Sequence, residues 1–232
     1  LDEFPEFSRA ALEGLREPLE DGTVVISRAT GSHRLPAQFT LVAAANPCPC
    51  GYHGDPKRAC TCTPASLDRY RRRLSGPLMD RIDLFVSVSR PDVDLVLGGR
   101  RPHETGEEPG KAGARPESTD PDGDWTALLE NALKAQARRF GDVRRRNGSM
   151  SAREIAVHAE LDAEGRSVLA DAARVYHLSP RAIHRVLKVA RTIADMKGER
   201  DVSANDVAEA LSFRFEKAFE GAADGRLRDR EP

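Results

Sequence analysis

Apolar positions along the chain change their spacing twice. From Ser8 to Glu20, the residues Ala11, Leu12, Leu15 and Leu19 fall on one helical face, so an amphipathic helix is expected there. Thr23 to Ser27 (TVVIS) then reads as a strand, and Gly31 permits a turn toward a returning segment from Arg34 to Phe39. Two short, nearly all-apolar runs follow, Thr40 to Ala45 (TLVAAA) and Leu84 to Val88 (LFVSV). Runs without alternation are expected of strands buried on both faces of a parallel sheet. Strands alternating with helices make residues 1–97 an α/β unit.

The pattern then stops. Residues 98–124 carry Gly, Pro and charge with almost no large apolar side chain, too little to offset chain entropy, and are expected to form a flexible linker. Apolar positions return at helical spacing over 125–215, with start signals in front of them. Ser151 with Glu154 is a capping-box pair, Ser203 with Asp206 a near variant, and Ser179-Pro180 sets a cap before proline at the first helical position. Helices are expected near 125–139, 151–159, 163–177, 180–196 and 203–213, an all-α bundle, with 216–232 as a tail.

Composition narrows the class. The 232 residues are 39% hydrophobic, 31% charged and 5% aromatic, which fits a globular protein with a charged surface. No apolar run approaches the roughly 20 residues of a membrane helix, so no membrane partner is expected. A formal net charge of −1 means that nucleic acid must be met by local basic patches. The opening residues Leu1-Asp2-Glu3-Phe4 read as the middle of a domain.

Four places carry candidate chemistry. Asp2 and Glu3 form an acidic pair that can hold Mg²⁺ and orient an attacking water, or are two solvated acids. Asn46 follows the run TLVAAA, at the strand end where open α/β sheets bind ligands, or is a turn residue before Pro47. Arg81, in LMDRIDL, either belongs to a surface cluster with Asp80 and Asp83 or reaches a neighbour's γ-phosphate. Arg181 lies in the first turn of a helix, where a cation opposes the macrodipole and an anion would explain it; Arg185, one turn on, is the alternative.

In this order the motifs become specific. LDEFPEFSRAALEGLREPLEDGTVVISRA, LVAAANPCPCGYHGD, YRRRLSGPLMDRIDL and LSPRAIHRVLKVARTIADMKG closely resemble the ComM/YifB family of magnesium-chelatase-like AAA+ ATPases, over most of 1–97 and 125–213. The resemblance implies an incomplete AAA+ P-loop core with a parallel sheet, followed by an all-α helical lid. It puts Asp2 and Glu3 at the Walker B acids, Asn46 at sensor 1, Arg81 at the arginine finger and Arg181 at sensor 2. It makes Leu19–Phe39 a β-hairpin insert facing the pore of a hexameric ring, with Arg28, His33 and Arg34 as candidate DNA contacts. It implies ATP and Mg²⁺ as cofactors and a cytoplasmic DNA motor, helicase-like in branch migration during natural transformation. A protein-remodelling motor and a non-enzymatic DNA-binding module are the other readings. No G-x-x-x-x-G-K-S/T occurs; Gly106 to Lys111 imitates it with the wrong spacing and ends in Ala112, so the chain alone is expected to be inactive.

All four cysteines, Cys48, Cys50, Cys60 and Cys62, lie in one short stretch. The clustering points to a structural Zn²⁺ site in a reducing compartment, with His53 able to replace a ligand; free buried thiols or a redox pair are the other readings. Arg69, Arg71, Arg72 and Arg73 around Tyr70 can contact a nucleic-acid backbone or stack on a base; they and the group Arg138, Arg139 and Arg144 to Arg146 otherwise read as solvated or subunit-facing surfaces.

Overall fold

Ser8 opens the first helix by accepting the N–H of Ala11 at 3.2 Å, as an N-cap serine should. The helix α1 runs only over Arg9–Gly14 and is followed by α2, Arg16–Asp21. Gly14 is a poor helix former, and Pro18 lacks the N–H that would return to its carbonyl, so the single expected helix is two. The computed structural model describes residues 1–28, 31–55, 57–88 and 121–214. The linker expected over 98–124 lies outside these residues up to 120, as do the Gly106–Lys111 motif and the tail from 216.

Gly22 ends α2 at φ 62°, with its N–H on the Pro18 carbonyl, and the chain turns into a hairpin. Strand β1, Thr23–Arg28, pairs antiparallel with β2, Gly31–Pro36, in the register Thr23 to Pro36 and Ile26 to His33. The hairpin stands mostly in solvent: Val25, Ile26 and Leu35 are exposed. It is the one named sheet among the described residues.

The parallel sheet expected of TLVAAA and LFVSV is not assigned among the described residues. Val42 is 75% exposed, Val86 64% and Val88 87%. Strands of this kind need neighbours on both edges and layers on both faces, and the described residues do not supply them. What exists is one rung. The Leu1 N–H₃⁺ donates to the Val42 carbonyl at 2.7 Å, and Ala44 N–H donates to the Leu1 carbonyl at 2.8 Å. Phe4 N–H then donates to the Ala44 carbonyl at 2.8 Å. That slanted pattern is the hydrogen bonding of two segments running the same way.

Beneath this edge a small core holds Phe4, Leu12, Leu74 and Leu78, with Leu15, Leu19, Leu41 and Met79 packed around it. Leu74 and Leu78 come from the end of α3, Pro64–Arg71, and from α4, Gly76–Met79. Thr63 and Ser75 cap these helices by accepting from Ser66 N–H and Leu78 N–H.

The rest is helical: α5 Pro121–Phe140, α6 Ala152–His158, α7 Ala163–Val175, α8 Pro180–Lys197 and α9 Ala204–Ser212. Capping boxes at Ser151/Glu154 and Ser203/Asp206 are both formed. Helix α8 is the centre, packed by α5 and α9. Its buried stripe Val186, Ala190 and Ala194 is small enough to bring neighbouring backbones close. The larger apolar groups Ile155, Leu169, Val207 and Leu211 surround it. Beside them lies a polar hub. Asp195, 1% exposed, accepts from both terminal nitrogens of Arg139, at 2.7 and 2.6 Å. Asn147 Nδ2 and Arg191 Nε add bonds at 2.8 and 3.1 Å. Arg191 also donates to the carbonyls of Glu199 and Arg200, both at 2.7 Å, closing the turn after α8.

Candidate functional site

The rung between Leu1 and Val42–Ala44 sets the first part of the site. Because the two segments run the same way, the ends carrying Asp2–Glu3 and Asn46 emerge on the same side. Asp2, Glu3 and Asn46 are all exposed. Asp2 Oδ1 accepts the Glu3 N–H at 2.8 Å, and Glu3 sits at φ 49°, a left-handed conformation that a residue with a Cβ seldom adopts. Such strain concentrates at functional positions. Asp2, Glu3, Glu6 and Phe7 line a shallow hollow. Two exposed carboxylates adjacent in the chain are oxygen donors of the kind a hard cation such as Mg²⁺ takes.

The arginines assemble elsewhere. Arg81 does not project; it is 7% exposed, with Nη1 donating to the Pro77 carbonyl at 2.5 Å and Nη2 paired with Glu20. Its Nε is buried without a hydrogen-bond partner, a costly arrangement for a charged donor. The other oxygen of Glu20 is paired with Arg181, which remains largely exposed. Partial burial pushes the Glu20 carboxyl up, but hydrogen bonding and charge from Arg81 and Arg181 outweigh it and hold the group below the usual range. Arg185 pairs with Asp83, and Ser179 Oγ donates to Asp80 Oδ2 at 3.2 Å. Arg214 donates to the Ile82 carbonyl, and Phe85 N–H reaches the Phe213 carbonyl at 2.7 Å. Asp80 and Asp83 therefore face the helical region and not Arg81. Sequence reasoning assigned no role to Glu20, although it lies within the first resembling stretch, or to Arg214.

The four cysteine sulfurs lie within 4.8 Å of one another. Sγ of Cys48 is 3.3 Å from Cys50 and 3.7 Å from Cys60, and Cys50 is 3.5 Å from Cys60. The edge of a tetrahedron with metal–sulfur bonds of about 2.3 Å is about 3.8 Å, so the four thiols fit one metal ion. All are free cysteines. Backbone N–H groups of Tyr52 and Thr61 draw the Cys50 thiol down to about 5, while burial chiefly pushes Cys62 up to about 12. Packed thiols cannot all ionise together without a cation to share them.

Basic residues sort by partner. Tyr70 is buried and donates its hydroxyl to the Asn46 carbonyl at 2.9 Å, so it is no platform for a base. Arg71 Nη2 meets His53 Nε2 at 3.2 Å, and Arg73 binds Glu6 and the Pro5 carbonyl. Arg139 serves the Asp195 hub, and Arg145 pairs with Glu154 at 2.6 Å. On the hairpin, Arg28 and His33 share one face while Arg34 lies on the other, donating from Nε to Thr23 Oγ1 at 3.0 Å. These three exposed residues lie on opposite faces of the hairpin and do not form one patch.

Residues 1–95 match the family described as magnesium chelatase, subunit ChlI, and residues 124–214 match the ChlI C-terminal family. The class thus defined is the magnesium-chelatase-like AAA+ family, with its C-terminal part in the helical region. The chain belongs to this family, beside Competence protein ComM of Haemophilus influenzae (38% identical over 216 residues) and YifB of Escherichia coli (35% over 215). Each alignment covers 92% of this chain and 38% of the relative, so the chain spans well under half of their length. No helix among the described residues is long and apolar enough to cross a membrane.

Proposed function

We propose that the polypeptide to which these residues belong is a cytoplasmic ring ATPase, hexameric, that couples ATP hydrolysis to remodelling DNA, with helicase-like branch migration of transforming DNA as its task. The relation to a competence protein at 38% identity supports the DNA assignment. One observation carries the ATP half: Arg81 and Arg181, from distant parts of the chain, meet on a single carboxylate. A place that holds two guanidinium groups around two oxygens is a place a phosphate can take.

In this reading Asp2 holds Mg²⁺, which supplies charge neutralisation at the β- and γ-phosphates. Glu3 orients the attacking water, and Asn46, emerging beside it, fixes that water's other side. Arg81 completes the neighbouring subunit's site once Glu20 releases it, Arg181 closes the lid on the γ-phosphate, and Arg185 holds that lid through Asp83. Glu20 keeps both arginines in place while the phosphate is absent. The hairpin presents Arg28 and His33 on one face and Arg34 on the other to DNA in the ring's pore. The four cysteines hold a structural Zn²⁺, since a Cys₄ site leaves no open position for substrate. With no phosphate loop in their sequence, these 232 residues alone turn over no ATP.

A chimera tests this: the Haemophilus relative with its matching region replaced by this chain. Its ATPase should rise with single-stranded or branched DNA, and Glu3→Gln should abolish turnover while sparing ATP binding. ATPase indifferent to DNA but raised by a protein partner would move the reading to a protein-remodelling motor, which the chelatase description of the family favours. Cellular function untouched by Glu3→Gln would leave a DNA-binding module.

A further inference from the structure

Residues 46–62 contain no helix or strand among those described, and one buried apolar residue, Cys48. A stretch of that length has no apolar core of its own to fix it, yet it is tied at three points. Cys48 and Cys50 follow Asn46 by two and four residues, while Cys60 and Cys62 lead straight into Thr63, the cap of α3. An ion bound by all four sulfurs would therefore join the Asn46 segment to the start of α3. Farther along α3, the Tyr70 hydroxyl returns to the Asn46 carbonyl at 2.9 Å, and Arg71 returns to His53 at 3.2 Å. One residue past the next, Arg73 donates to the Pro5 carbonyl at 3.1 Å and binds Glu6, in the turn that follows Asp2 and Glu3.

Helix α3 and the turn just past its end thus touch both sides of the candidate hydrolysis site, Asn46 through Tyr70 and the acid turn through Arg73. Its far end is packed by Leu74 and Leu78, but its near end enters from the cysteine loop with no buried apolar residue before Tyr70. Resting on the Zn²⁺ reading above, we infer that the metal makes α3 a strut whose position sets Asn46 relative to Asp2 and Glu3. On binding, the four thiols release their protons to solvent and the ion takes four thiolates, so the loop closes without a hydrophobic core. Small units lacking apolar area commonly use a metal in this way. Tyr70 and Arg73 are positioning residues here; they touch no reacting atom.

The test uses the 232-residue chain, purified with Zn²⁺, stripped with a chelator, and reloaded with Zn²⁺ or Co²⁺. One ion per chain is expected, and the Co²⁺ form should show the thiolate charge-transfer and tetrahedral bands of a sulfur site. Stripping should speed amide exchange at Phe4, at Ala44 and through Pro64–Arg71 by about tenfold or more, with α8 unchanged. Tyr70→Phe, which keeps the ring, should leave the Co²⁺ spectrum intact and yet speed exchange at Ala44. Cys60→Ser with Cys62→Ser should reproduce stripping without a chelator. Absence of stoichiometric metal and of a cobalt–thiolate spectrum overturns the Zn²⁺ reading and the strut with it. Metal bound at four sulfurs, with Phe4, Ala44 and α3 exchanging equally in loaded and stripped chains, overturns the strut alone. Exchange rising equally in α8 also overturns it, because the ion would then be stabilising the whole chain.

Discussion

The helical region around α8 and the region before residue 88 solve opposite problems. Around α8 every charged group that is removed from water is answered by the protein itself: Asp195 accepts from Arg139, Asn147 and Arg191, and Arg191 ends on two carbonyls. Before residue 88, the polar groups of the candidate site stand in solvent, Glu3 is held left-handed, and Arg81 keeps a buried nitrogen unpaired. The apolar runs there are exposed as well, Val88 at 87%. The first region pairs its buried charges internally, although it too has a left-handed residue, His177, and exposed apolar side chains at Val143 and Val175. The second leaves polar groups unanswered by the chain itself, and under the function proposed above a nucleotide and a neighbouring subunit would satisfy them.

The largest effect should come from the helical side. Asp195→Ala leaves Arg191 and Arg139 without their carboxylate in a buried place, and should cost about 3–5 kcal/mol, read as a lower urea midpoint for the helical signal. Leu78, with no exposed surface, is the matching residue in the other region. Leu78→Ala should cost about 2–5 kcal/mol, read by faster amide exchange in α1 and α3. If the two regions are as separate in energy as in design, exchange in α8 should not change with Leu78→Ala. Equal acceleration there would show one cooperative unit and erase the contrast.

How much was legible in the sequence follows the same division. Helices α6 to α9 could be read because local rules decide them: caps at Ser151, Asp162, Ser179 and Ser203 stand directly before apolar stripes of helical period. The Asp195 hub was not legible, since its donors lie up to 56 residues away and nothing in the local pattern marks Arg139 or Asn147 as buried. The run TLVAAA signalled a buried strand, but burial depends on what lies on either side, and its described neighbours amount to Leu1 and Phe4 on one edge. Cys48, Cys50, Cys60 and Cys62 were legible as a cluster because spacing alone brings them close. Glu20 was not. Its role appears only when the fold brings Arg81 and Arg181 to it from 61 and 161 residues farther along the chain.

Smaller effects belong to the seam between the regions. Glu20→Gln removes the charge that faces Arg81 and Arg181 while keeping the shape of the side chain. Since Arg81 is buried, the loss should be about 1–3 kcal/mol. Its mark should be faster exchange in the first turn of α8 and at α2, with the Asp195 hub unaffected. Protection unchanged in both places would mean that Glu20 does not hold the seam.

The smallest effect tests the helical region by pH. Glu154 accepts from the backbone N–H and hydroxyl of Ser151 and from Arg145, which together hold its carboxyl down to about 2. A carboxylate lowered in the folded state binds its proton more readily when unfolded. Its contribution is therefore complete above the ordinary value of 4.5 and is lost as pH falls from there toward about 2. Stability of the α6 end should decline through that window, and Glu154→Gln should flatten the decline while lowering stability at neutral pH. The group is only partly buried, so salt should weaken the Arg145 part and leave the bonds from Ser151. An acid limb identical in the variant would assign the capping box no share of it.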